Sequence, residues 1–111
     1  MNNVSKDLIG ASSIPIVLSI LKRGDSYGFE IAQYIKEATK GKITFGEASI
    51  YPVLKKLEKK KMIKSYWKID EDTRPRRYYK LLKAGEKQLH KSIYEWEDFH
   101  SALKVLWNPV T

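Results

Sequence analysis

Between Lys55 and Lys83 stand twelve lysines and arginines but only four acids, Glu58, Asp70, Glu71 and Asp72. That balance of +8 equals the formal charge of the whole chain. The remaining nine basic and nine acidic residues cancel. A field this local attracts polyphosphates, because each cation set on a phosphate releases condensed counterions. Its sharpest cluster is Arg74-Pro75-Arg76-Arg77. Three guanidiniums at one tip can grip phosphates bidentately or enter a minor groove, and Pro75 limits the freedom of that tip. A second set, Glu47, Ser49, Tyr51, Lys55 and Lys56, lies in the run Glu47–Glu58. Hydroxyls and lysines near the start of a helix reach base edges and phosphates in a major groove. Most charge runs are only solvated faces, so the elements that carry these residues have to decide between the readings.

Other chemistries find no footing. His90 and His100 have no accompanying ligand set, and no nucleophile–base pair, P-loop, Gly-rich dinucleotide turn or zincin motif is visible. The expectation is therefore no enzyme, no metal and no cofactor. Cysteine is absent, which removes disulfides and thiolate sites. Asp7 and Ser12-Ser13 interrupt the first apolar stretch, so there is no signal-peptide layout, and no run nears the roughly 18 to 20 apolar residues of a membrane span. A cytoplasmic protein without membrane contact fits best. The 111 residues, 42% hydrophobic, make one core with little room for a second.

Apolar periodicity predicts a helix over Lys6–Leu21 with a kink or restart at Pro15, where Ser12 or Ser13 could cap. Gly24-Asp25-Ser26 reads as stop and cap, and a second helix follows over Tyr27–Thr39, ended by Gly41. The third is capped by a Thr44–Glu47 box or by Gly46, with Ala48, Tyr51, Leu54 and Leu57 inward and Ser49, Pro52, Lys55, Lys56 and Lys59 outward. Ile63–Ile69 and Arg76–Leu82 are β-prone and aromatic-rich, with the tip between them. Tyr66, Trp67, Tyr78 and Tyr79 fit cross-strand packing and the core better than base stacking. The last helix, Lys83–Trp107, carries Leu89, Ile93, Trp96, His100, Leu103 and Trp107 at coiled-coil spacing, a seam that a partner chain would cover. The fold expected is mainly α with a small β-hairpin: a winged helix-turn-helix over 1–82 and a long dimerisation helix over 83–111.

Four ordered blocks, Asp25–Ile31, Ser49–Glu58, Arg74–Leu81 and Gly85, resemble the PadR family of transcriptional regulators. The single C-terminal helix is similar to that of the short, multidrug-sensing subgroup. Leu82 stands where that family usually has a capping Thr. The resemblance implies a homodimeric repressor of double-stranded DNA whose C-terminal helix packs on the partner's N-terminal helix. It implies DNA contacts at Ser26 and Tyr27 beside Glu47, Ser49, Tyr51, Lys55, Lys56, Arg74, Arg76 and Arg77. It implies a dimer interface through Leu8, Leu89, Ile93, Trp96, Phe99, Leu103 and Trp107. It also implies a flat pore for an aromatic or cationic effector, with Trp96 central and Leu8, Pro15, Ile93 and His100 near it. From residue type alone Trp96 can equally just pack in a seam. Arg76 and Arg77 are expected to hold phosphates, so that loss of Arg77 weakens binding to every duplex. Two rival functions are a winged helix that binds protein and a binder of RNA or single strands.

Overall fold

The structure, a computed structural model, describes residues 3–69 and 74–108. The chain starts with the restart expected around Pro15, and Ser12, one of the two expected serines, stands at the cap of the new segment. Helix α1 (Lys6–Ala11) ends at Ser12, whose φ of -105° and ψ of 8° interrupt the run, and α2 (Ser13–Arg23) restarts directly. Pro15 thus sits in the first turn of α2, where an N–H has no intrahelical partner to lose. Ser12 takes the N-cap position of α2 without a side-chain hydrogen bond.

Ser26–Tyr27 forms a short strand, β1, before α3 (Gly28–Ala38), so the expected helix start at Tyr27 moves by one residue. The turn after α3 passes through left-handed backbone at Lys40, φ 53°, and Gly41, φ 80°. Gly41 donates its N–H to the Lys36 carbonyl at 2.8 Å, and the Thr39 hydroxyl bonds the Ile35 carbonyl at 2.8 Å. This closed turn delivers α4 (Glu47–Lys59), with Gly46 rather than Thr44 at its N-cap.

Strands β2 (Ile63–Lys68) and β3 (Arg76–Leu81) follow, then α5 (Lys83–Trp107). All three strands form one antiparallel sheet in the order β1-β3-β2. The register pairs Ser65 with Tyr79 and Tyr66 with Tyr78, while Ser26 and Tyr27 pair with Tyr79 and Tyr78. Alternation therefore sends Ile63, Ser65 and Tyr79 to the inner face and Lys64, Tyr66, Lys68, Arg76, Tyr78 and Lys80 to the outer one.

The core lies where α2, α3 and α4 meet the inner sheet face. Leu18, Ile31, Ile50, Leu54, Leu57 and Ile63 are fully buried there. At about 1.5–3 kcal/mol for each fully buried aliphatic side chain, they anchor the arrangement of α3, α4 and sheet. The first turns of α5 join this core through Leu89 and are tied to α2 by the Lys22–Glu86 ion pair. Further along, Ile93 and Trp96 face α1 and α2 across a cleft, and the last turn of α5 is exposed. No helix among the described residues is long and apolar enough to cross a membrane.

Candidate nucleic-acid interface

On α4 the buried stripe is Ile50, Leu54 and Leu57, not Ala48, Tyr51, Leu54 and Leu57. Steps of three residues precess by roughly 60° each, so Ala48 lies about half a turn away from Leu57. The outward face consequently holds Ala48, Ser49, Tyr51, Pro52, Lys55, Lys56 and Lys59, all exposed. Tyr51 is 48% exposed, and its ring lies over Gly28 at the start of α3. A Cβ on Gly28 would come within 2.6 Å of the Tyr51 ring, so this glycine lets the two helices of the motif approach through that side chain. Glu47 opens α4, but its side chain lies outside the described residues.

The outer sheet face carries a tyrosine row. Tyr66 stacks on Tyr78 at 5.9 Å between centroids, and Tyr27 meets Tyr78 edge-on at 5.3 Å. Cations cover the rings: Lys68 sits 5.0 Å over Tyr78, and the Arg76 guanidinium 4.6 Å over Tyr27 while also donating to its hydroxyl at 3.1 Å. Of the four strand aromatics, Tyr66 and Tyr78 pack across the strands as expected, Tyr79 joins the core, and Trp67, 66% exposed, is not in it. The Tyr66 hydroxyl donates to Asp25 Oδ2 at 2.6 Å, and this bond, more than partial burial or the negative charge, pushes the phenol up to about 12. Burial likewise raises Tyr79, against the opposing pull of Arg77.

The three arginines part company. Arg74 is exposed, and Arg76 is fixed on Tyr27. Arg77 instead donates to both Glu58 oxygens, at 3.2 and 3.4 Å, while Ser65 donates to Glu58 Oε2 at 2.6 Å. Glu58 therefore ties α4 to both long strands and already holds the guanidinium expected on a phosphate. Ser26 is 5% exposed with its hydroxyl on Glu30 at 2.6 Å, which takes its side chain out of any contact surface. Asp70, Glu71, Asp72 and Thr73, at the tip, lie outside the described residues. Two like-charge pairs stand directly opposite each other on the outer face, Lys64 with Lys80 and Lys68 with Arg76. The expected site residues did not include Lys64, Lys68 or Lys80, although strict strand alternation of the basic residues would have grouped them.

A second site lies at the other end of the chain. Leu8, Pro15, Ile93 and Trp96 line one cleft of about 410 Å³ between α1–α2 and α5, together with Ile16 and Ser92. His100 is not among its walls; it lies beside Trp96, 5.1 Å between ring centroids, and next to Trp107 at 6.2 Å. Leu89, at 3% exposure, is committed to the chain's own core and is not free for a dimer interface. Ile93, Trp96, Phe99 and Trp107 are exposed, and Leu103 is half-buried.

A helix-turn-helix, a basic three-stranded wing and a projecting terminal helix define a winged helix-turn-helix protein. The chain belongs to the transcriptional regulator PadR-like family, which its residues 17–91 match. Among solved structures it is similar to a transcriptional regulator from Clostridium thermocellum, 33% identical with a TM-score of 0.83, covering 91% of this chain and 95% of that one. It is also similar to Bacillus subtilis PadR, solved in complex with operator DNA, at 27% identity and a TM-score of 0.67 over 73% of this chain and 46% of that one. An uncharacterised protein of Lysinibacillus sphaericus is 33% identical over 95 residues, 86% of this chain and 87% of that protein.

Proposed function

We propose that this regulator is a homodimeric repressor that reads a double-stranded DNA operator and is released by an aromatic or cationic small molecule. In this reading residues 1–82 form the reader and 83–111 the dimerisation helix. The observation that carries duplex binding is the pair of like-charge cross-strand contacts, Lys64–Lys80 and Lys68–Arg76. Like charges facing each other across strands destabilise a sheet, and a phosphate backbone removes that cost. Ser49, Tyr51, Lys55 and Lys56 on the exposed face of α4 then reach the major groove, with Arg74 and Arg76 on the flanking backbone. The operator complex of Bacillus subtilis PadR supports the same partner here. Cations already cover the rings of Tyr27 and Tyr78, which disfavours base stacking and hence the single-strand alternative. Effector release rests on the apolar cleft beside Trp96, where a flat ring would stack and a cation would gain about 0.5 to 2 kcal/mol. The test is competition: a labelled promoter duplex bound by the protein is challenged with unlabelled duplex or single strand. Duplex should displace it far better; equal displacement by single strands would reject the reading.

A further inference from the structure

A second groove borders the recognition helix on the side of α1. Ser5, Lys6 and Ser13 wall it from the N-terminal side, and Thr44, just before α4, with Ser49 and Lys56 on α4 wall it from the other. It measures about 880 Å³, and Ile9 and Val53 contribute apolar surface to it. Lys6 and Lys56 have no ion-pair partner among the described residues. The hydroxyls of Ser13, Thr44 and Ser49 likewise make no hydrogen bond among them. Only Ser5 is engaged, accepting from the Leu8 N–H at 3.3 Å. No carboxylate lines the groove among the described side chains. Unengaged cations and hydroxyl donors facing one another across a groove, with no acid between them among the described side chains, match a ligand with several anionic oxygens.

We propose that this groove seats a stretch of the sugar-phosphate backbone of the DNA that α4 reads, with Lys6 of α1 as a phosphate contact facing Lys56. The inference rests on the duplex-binding reading above and extends it to an element outside the helix-turn-helix and wing. Continuity argues for DNA backbone over a free anion, since Ser49 and Lys56 belong to the groove and to the outward face of α4 at once. The volume also far exceeds that of a single phosphate. Ser13 and Thr44 supply neutral donors that fix the backbone's register without reading its sequence.

The experiment measures binding of the full-length protein to a labelled random-sequence duplex across a salt series. Lys6→Gln, a change on an exposed side chain, should weaken binding several-fold and lower the salt slope by about one unit. Ser13→Ala should weaken binding in the same direction with the slope unchanged, because no charge is lost. Lys91→Gln, exposed on α5 and outside the groove, serves as the charge-matched control and should bind as the parent does. If the parent binds with steep salt dependence while Lys6→Gln and Ser13→Ala match it in affinity and slope, the groove assignment is overturned and the duplex reading stands. A parent that binds no duplex overturns both.

Discussion

Asp25 and Tyr66 form the most sharply defined titrating contact on the wing. Their hydrogen bond spans the gap between the β1 approach and β2, and it needs the phenol protonated. Because the folded phenol is raised to about 12, above its unfolded value of about 10, the contribution is complete below pH 10 and lost as pH rises toward 12. Absorbance titration of the tyrosinate band should show two tyrosines, Tyr66 and Tyr79, ionising late, and Asp25→Asn should return Tyr66 toward about 10; an unchanged titration curve would remove the contact. The glycines divide by what surrounds them. A Cβ on Gly85 would collide with the Met62 carbonyl, a backbone atom that also accepts the Leu82 N–H at 2.9 Å. Gly85→Ala should therefore cost about 1–3 kcal/mol or more in denaturant unfolding. Gly28→Ala meets only the outer end of the Tyr51 ring, which can swing, so it should disturb DNA binding more than stability.

At the scale of elements, Glu58 is the strut between α4 and the wing. Glu58→Ala should lower stability by about 1 kcal/mol, the scale of a partly exposed ion pair plus one hydrogen bond. The same change frees Arg77 and adds a unit of positive field, so binding to random duplex should hold or tighten while discrimination for operator falls. A uniform loss on both DNAs would contradict the strut. By the same geometry Arg76→Gln should cost more duplex affinity than Arg77→Gln, which reverses the weight that sequence gave to Arg77. Sequence pattern was enough for the long elements, because Leu18 and Leu21, Ile31 and Ile35, and Ile50, Leu54 and Leu57 recur at helical spacing within their helices and the basic wing alternates. It was not enough for β1, since two residues carry no period and their pairing to Tyr78 and Tyr79 is long-range. It also misplaced the α4 face, where Tyr51 mimics a core residue but fills the gap above Gly28. The Glu58–Arg77 pairing was hidden for the same reason: residues 19 apart in sequence meet only once the sheet forms.

The whole molecule is too extended for its length. Its radius of gyration is 15.9 Å, where a compact chain of this size has about 13 Å. Its extents of 63 × 33 × 20 Å reflect α5, whose 25 residues span about 37 Å. The outer part of that helix exposes Trp96, Phe99, Leu106 and Trp107, more apolar surface than a monomer ordinarily leaves in water. A two-fold pair burying these faces is the expected assembly, and sedimentation should show a species at twice 12.9 kDa. Trp96→Ala should retain that dimer but abolish quenching by planar cationic dyes, whereas unchanged quenching would assign the signal to Trp67 or Trp107.

On the proposed function, the +8 field between Lys55 and Lys83 takes the phosphates of a duplex. The direct measurement is the equilibrium constant for duplex DNA as a function of salt. A dimer using about six to ten phosphate contacts should lose about 10³- to 10⁵-fold in affinity between about 50 and 200 mM salt, along a straight log–log line. Duplex binding that ignores salt, or no duplex binding at the lowest salt, would show that this field serves something other than duplex phosphates.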